Sequence, residues 1–328
     1  MRIVVADANL VPHRDRFEAA LPGDADIRWC VGADPDVLAD EVRDAEVYVG
    51  GRFTAELAAV AEKLRLIHVV GAGTDRIAFA ALPDGVLVAN TFHHERSIAE
   101  YVLGAAIMLT RGFLEQDRAL RRNVWATSVY DEDIAQPRTT AGSRIGFVGF
   151  GHIGSLSWDL LRAIGCTGAA VTGSGRVAAA AHGLAWAGDT SRLNELMGES
   201  DLVVVSAPLN EHTTGMIGAA QLRALGPHGA LVNVGRGPLV DERALYEALR
   251  DNVIRAAAID VWYRYPASRG ATAAPGELPF ADLPNVLMTP HSSGVTAATF
   301  VGRSDDIAAN IVRLARGEAL LNTVAHSN

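Results

Sequence analysis

Arg144-Ile145-Gly146-Phe147-Val148-Gly149-Phe150-Gly151-His152-Ile153-Gly154 decides the fold of this 328-residue chain. The first five residues read as a strand, and a helical pattern runs on to about Ile164. A GxGxxG is weak by itself in a chain with 32 glycines. Between a strand and a helix it becomes specific. Gly149 makes the turn, Gly151 lets a pyrophosphate approach the backbone, and Gly154 lets the helix pack close to the strand. The helix start at His152 and Ile153 then offers N–H donors to the anion. This is the signature of a dinucleotide site at the first turn of a doubly wound parallel sheet.

Short apolar runs alternate with helical patterns on both sides of that stretch, which predicts an α/β fold with parallel sheets. Downstream come GAAVTGSG (168–175), DLVVVSAP (201–208), ALVNVG (230–235), RAAAIDV (255–261) and NVLMTP (285–290). Helices are expected near 218–225 and 241–250. Upstream lie IVVA (3–6), AEVYVG (45–50), LIHVVGAG (66–73) and VLVAN (86–90), with helices over 35–43 and 55–63. A long helix is expected from Ser97 to Arg122, with Ser97 as N-cap and Glu100 completing a capping box. The stretches 126–140 and 266–279 read as loops. The last helix, 297–316, has no core of its own and is expected to pack back on the N-terminal part.

The layout predicts two doubly wound domains. A Rossmann-type cofactor domain, 97–292, is inserted in a flavodoxin-like substrate domain made of 1–96 and 293–328. A cleft between domains is where a small ligand would be expected.

Composition narrows the function. The net charge of −9 argues against a nucleic-acid or membrane-surface partner, either of which calls for a basic face. Lys63 is the single lysine, in a solvent-like AEKLR stretch, so no P-loop exists and Schiff-base chemistry is nearly excluded. Cys30 and Cys166 are far apart, without metal spacing, and point to a reducing compartment. His93-His94-Glu95 is not a metal cluster, because adjacent residues do not converge as i, i+4 pairs do. No apolar leader is visible in MRIVVADANLVP, and the longest apolar run, Tyr101–Thr110, is too short to span a bilayer. A soluble cytoplasmic protein is expected.

The ribose end of the dinucleotide can be read too. No Asp or Glu occurs between Leu160 and Gly188, where NAD enzymes place the acid that takes the ribose hydroxyls. The second strand ends Val171-Thr172-Gly173-Ser174-Gly175-Arg176. The Ser174 hydroxyl and Arg176 guanidinium could accept a 2′-phosphate, so NADP is preferred, with NAD possible. Arg176 stacking on adenine or facing solvent is the plainer alternative. Pro208, Val234 and Asp260, at the ends of later strands, complete the expected cofactor contacts, with Asp260 beside the nicotinamide.

Three strand ends carry the chemistry. In Asn233-Val234-Gly235-Arg236-Gly237, Arg236 can clamp a carboxylate with two parallel hydrogen bonds. In Thr289-Pro290-His291-Ser292, His291 can give or take a proton near neutral pH. Arg52, in Gly50-Gly51-Arg52-Phe53, is a candidate second anion contact.

Over nearly its whole length the chain resembles the D-isomer-specific 2-hydroxyacid dehydrogenases. The matching segments are LIHVVGAGTDRI (66–77), IAEYVL (98–103), RIGFVGFGHIG, DLVVVSAPLNEHTTGMIG, ALVNVGRGPLVDERAL, AAIDVW and LPNVLMTPHSSG, in order. The resemblance implies hydride transfer between a nicotinamide dinucleotide and a small 2-oxo acid or D-2-hydroxy acid. It implies that Arg236 holds and polarises the substrate, that His291 is the acid/base, and that backbone at Ala72 and Gly73 grips the carboxylate. It also implies a homodimer through the helix after Ser97.

One position departs from the family. A glutamate usually stands five residues after the strand-end Asp and supports the histidine; here that residue is Tyr265. Glu277 and Asp282 are the next acids that could fold back to His291. Three readings fit. Tyr265 orients His291 as a neutral partner and 2-oxo acids are still reduced. Or the chemistry needs no proton relay, as in formate dehydrogenases. Or the chain senses a dinucleotide without turnover, like the family's corepressors. Retention of Arg236 and His291 favours the first. Tyr263 and Tyr265 could also line a pocket for a bulky substrate, or simply pack a loop.

Overall fold

The computed structural model describes residues 1–267 and 270–325. Ser268 and Arg269 of the expected 266–279 loop, and the last three residues of the 293–328 segment, lie outside the described residues. The chain divides into two compact units, one of 1–94 with 295–328 and one of 95–294.

The first unit is built on a five-stranded parallel sheet: β1 (Arg2–Val5), β2 (Asp26–Trp29), β3 (Val47–Val49), β4 (Leu66–His68) and β5 (Leu87–Ala89). Their spatial order is β2-β1-β3-β4-β5, the flavodoxin-like order. Ile3, Val5, Val47 and Val49 share one apolar layer with Phe300, Ile307, Ile311 and Leu314 of the helix Ala297–Arg316. The final helix thus does return to the N-terminal sheet. Its i, i+4, i+7 spacing supplies a stripe wide enough to cover one sheet face.

The second unit holds seven parallel strands: β6 (Arg144–Val148), β7 (Thr167–Thr172), β8 (Trp186–Asp189), β9 (Leu202–Val205), β10 (Ala230–Asn233), β11 (Ala256–Ile259) and β12 (Val286–Met288). The order is β12-β11-β10-β9-β6-β7-β8. The chain winds outward from β6 through β7 and β8, then crosses back to β9, so the topological switch lies between β6 and β9. That is where ligands bind in open α/β sheets. The central strands are buried on both faces, which explains their uninterrupted Val, Leu, Ala and Ile runs.

Two expectations fail locally. The long helix begins at Glu95, so Ser97 lies within its first turn and not at the N-cap position. It also stops at Arg111: Gly112 turns left-handed at φ 65°, and a second helix, Phe113–Leu120, leaves at 65° to the first. The edge strands β2 and β8 escaped the sequence reading. DIRW and WAGD are half-exposed and carry no apolar run. Among the described residues, no single helix is long and apolar enough to cross a membrane.

Candidate active site

The glycine-rich turn follows β6 at the switch point. Gly149 adopts φ +91°, and a Cβ there would lie 2.5 Å from the Ala207 backbone nitrogen. Only glycine fits. A Cβ on Gly154 would meet the Gly149 carbonyl at 2.7 Å, so this glycine lets the helix His152–Ala163 close down on the turn. Gly151 differs from both. It has ordinary backbone angles, and a Cβ would touch nothing within 4 Å. The space beside it is therefore open to a ligand, the fit a pyrophosphate requires. His152 is exposed at the start of that helix, while Ile153 packs its side chain against the core. Ser206 Oγ donates to the Gly149 carbonyl at 3.0 Å and fixes the turn from β9.

Ser174 and Arg176 are exposed just beyond β7, and the Ser174 hydroxyl accepts from the Arg176 amide at 3.3 Å. Sequence reading missed a neighbour here. The acid-free stretch ends at Gly188, and parallel pairing of β7 with β8 sets Asp189 opposite Thr172. Its Cβ lies 3.1 Å from where a Cβ on Gly175 would be. A carboxylate therefore stands beside the turn after all, supplied by the adjacent strand. Its Oδ1 caps the following turn, accepting from the Ser191 amide and hydroxyl, which holds its pKa below the ordinary value.

Pro208 is exposed after β9, its carbonyl accepting from Thr213 Oγ1 at 2.8 Å. The Val234 side chain is 4% exposed within the core, and its amide donates to the Val205 carbonyl.

Three neighbouring strands, β10, β11 and β12, end in register at Asn233, Ile259 and Met288. Arg236, Asp260 and His291 thus leave the same edge of the sheet. The Arg236 loop is fastened by Asn233, a buried side chain that sequence reasoning passed over. Its amide donates to the Arg236 carbonyl at 3.1 Å, and its oxygen accepts from the Gly235 amide at 3.1 Å. A buried Asn at a strand end, three before an Arg, is the signal that could have found it. Arg236 itself is half-buried, with Nη1 donating to the Gly235 carbonyl.

His291 takes φ +57°, a region a histidine rarely occupies. The Tyr265 hydroxyl lies 3.1 Å from its Nδ1 and also accepts the Trp262 amide at 3.0 Å. Glu277 does not support His291; it pairs with Arg264 at 2.5 Å. Tyr263 is turned away, its hydroxyl donating to the Val240 carbonyl at 2.9 Å, and it packs the loop by stacking on Phe280.

Asp260 follows β11 directly. It is fully buried, and its carboxylate accepts from Thr289 Oγ1 (2.6 Å), the Ser292 amide (2.8 Å), the Ser293 amide (3.1 Å) and Ser293 Oγ (2.5 Å). Those four donors fasten Asp260 to the loop that carries His291.

In the other unit, Ala72 and Gly73 lie in the turn after β4, with Asn90 Nδ2 donating to the Ala72 carbonyl at 2.9 Å. Arg52 is exposed on the wall of an open hollow of about 510 Å³ that Arg76, Glu56 and Asp75 also line. Among the described residues, no group of three or more His, Cys, Asp or Glu could hold a metal.

A profile described as "D-isomer specific 2-hydroxyacid dehydrogenase, NAD binding domain" matches residues 103–293. The chain belongs to the D-isomer specific 2-hydroxyacid dehydrogenase family. It is 29% identical over 312 residues to the D-3-phosphoglycerate dehydrogenase of Methanocaldococcus jannaschii, covering 92% of this chain and 56% of that one. The Escherichia coli K12 protein of the same name is 29% identical over 309 residues, covering 92% and 72%. The chain thus spans little more than half of the archaeal relative. A Treponema pallidum D-lactate dehydrogenase structure shares the fold with a TM-score of 0.83, at 22% identity, covering 99% of this chain and 100% of that one. The unit 95–294 is a member of the family's nucleotide-binding domain, and the glycine turn described above lies within the matched residues.

Proposed function

We propose that this chain reduces small 2-oxo acids to D-2-hydroxy acids with NADP(H) as the preferred cofactor. The observation that carries the reading is the row of strand ends β10, β11 and β12, with Arg236 and a Tyr265-supported His291 on one sheet edge. The cofactor, when bound, supplies the hydride. Arg236 would bind the substrate carboxylate with its planar fork and draw electron density from the ketone. His291 would give a proton to the alkoxide oxygen as it forms. Tyr265 would orient the imidazole. Its hydroxyl accepts the Trp262 amide and keeps a proton and a second lone pair, so it would pair with Nδ1 in either protonation state of the ring. Backbone at Ala72 and Gly73 would take the substrate carboxylate, and Arg52 a second anionic group. Ser174 and Arg176 would receive the 2′-phosphate, with Asp189 working against them.

The partner is proposed to be a second copy, joined along the helix Glu95–Arg111. Leu120, Val124, Trp125, Val129 and Tyr130 are exposed just beyond it and would extend that face. Light scattering on the purified chain tests this assignment.

The test of function is a panel of glyoxylate, hydroxypyruvate and phenylpyruvate with NADH and NADPH. Turnover is expected, faster with NADPH, and abolished in Arg236→Ala while cofactor binding survives. No turnover despite tight NADPH binding would replace the reading with that of a nucleotide sensor. Retained turnover in Arg236→Ala would remove its assigned role.

A further inference from the structure

Thr289 joins more partners than a strand-end residue needs. Its carbonyl accepts Trp262 Nε1 at 2.8 Å and the His291 amide at 3.0 Å. Its hydroxyl lies 2.6 Å from Asp260 Oδ1 and 3.0 Å from the Tyr101 hydroxyl. A threonine has one hydroxyl proton, and a carboxylate 2.6 Å away claims it. The remaining lone pair of Thr289 then accepts the Tyr101 proton. The order of donation is Tyr101 to Thr289 to Asp260, and Asp260 in turn holds the amides of Ser292 and Ser293, directly after His291.

We propose that Tyr101 is a positioning residue for His291, acting from the helix Glu95–Arg111 through Thr289 and Asp260. The inference rests on the proton-transfer role assigned above to His291. His291 sits at φ +57°, a conformation that persists only where its surroundings over-determine it. The tie from Tyr101 is one of those constraints. Each donor in such a chain polarises the next, so the Tyr101 proton strengthens the bond from Thr289 to Asp260. It also holds Thr289 in the rotamer that reaches the carboxylate. Burial pushes the Tyr101 phenol up to about 12, so it remains a donor across the working pH range. The helix that carries Tyr101 is anchored independently by Ile98, Val102, Ala105 and Leu109, buried with Phe147 and Trp158 in one core. The hydroxyl is therefore a fixed point to which the loop is tied.

Tyr101→Phe removes the hydroxyl and keeps the ring. The kcat for 2-oxo acid reduction is expected to fall about five- to tenfold, with KM and NADPH affinity within about twofold. The ring-nitrogen resonances of His291 in ¹⁵N-histidine spectra, assigned with His291→Gln, are expected to shift. Thr289→Val should reproduce both effects, Thr289→Ser should restore them, and Tyr101→Phe with Thr289→Val should be no worse than either alone. Unmoved His291 resonances overturn the proposal whether or not kcat falls, because a kcat loss without them is general loosening. Additive losses in the double variant overturn it as well. Should Tyr101→Phe fail to fold, the Thr289 pair carries both readouts. Should the unaltered protein reduce no 2-oxo acid, the functional reading fails, and the resonances still test the link.

Discussion

Replacing Tyr265 by Phe removes one oxygen that serves two groups at once. The hydroxyl accepts the Trp262 amide at 3.0 Å and meets His291 Nδ1 at 3.1 Å. A buried amide left without an acceptor costs about 1–3 kcal/mol. Tyr265 is 38% exposed, so water reaches part of the vacated space and the lower end applies, about 1 kcal/mol. For a unit of this size that is a fall in melting temperature of about 2–4 °C. The catalytic loss is larger in consequence. An imidazole without its orienting contact samples other rotamers, and about 1–2 kcal/mol of lost alignment slows kcat about 5- to 30-fold. KM should change little, because Tyr265 is given no substrate contact. The pH midpoint of kcat should also hold, since a phenol adds no charge to the imidazole in either protonation state. The assay is steady-state reduction from pH 5 to 9, with melting curves at each pH. A kcat within about twofold of the unaltered protein would refute the orienting role. A shift of the midpoint by about a full unit would refute the view that the contact is electrostatically neutral.

Three further perturbations check other parts of the structure. Gly151→Ala should leave stability unchanged and raise the NADPH dissociation constant at least about tenfold, whereas Gly154→Ala should weaken binding and also cost about 1–3 kcal/mol, because its Cβ would meet the Gly149 carbonyl. Equal melting temperatures for the two variants would contradict this division. Arg176→Ala should weaken NADPH about 10- to 100-fold and NADH hardly at all, and Asp189→Asn should tighten NADPH; a parallel loss for both cofactors would put Arg176 on the adenine. His68 is fully buried, held by Val69 and Asn310, and burial lowers its pKa to about 4. The unfolded chain takes up a proton from about pH 6.5 downward and the folded chain does not, so stability is complete above about 6.5 and falls by about 3 kcal/mol as pH drops to about 4. Hydrogen exchange of peptides spanning 60–70 and 304–315 reads this directly. A loss equally steep in His68→Gln would assign it to other groups.

How much was legible follows from what each residue is coupled to. Gly149, Gly151 and Gly154 could be read because their constraints are local: one strand, one turn and one helix within eleven residues. The central strands could be read because burial on both faces writes itself as an unbroken apolar run. β2 and β8 could not, and missing β8 concealed Asp189, which is near Thr172 only through sheet pairing. The contacts that tie Asp260 to the His291 loop were hidden for the same reason. Its partners Thr289, Ser292 and Ser293 are about thirty residues away, and nothing in RAAAIDV announces that they would bind it. Tyr265 was legible by position, and the structure supplied the Trp262 amide that holds its hydroxyl in place.

The placement of charge along the three strand ends has a consequence for substrate choice. The Asp260 carboxylate is buried and accepts from four neutral donors, so it organises the loop that carries His291. Tyr265 touches the imidazole with a neutral group, where a glutamate would add a negative charge. Such a charge would stabilise the imidazolium and repel an anionic substrate in the same step. The tyrosine forgoes both effects. In the proposed reaction a 2-oxo acid would therefore meet the Arg236 guanidinium opposed by one charge fewer, and His291 would donate its proton without a carboxylate holding it back. Tyr265→Glu should accordingly move two quantities together: a higher pH midpoint for kcat and a higher KM for the 2-oxo acid. If the midpoint rises while KM stays fixed, the charge at this position acts on the histidine alone, and substrate affinity is set by Arg236 without interference.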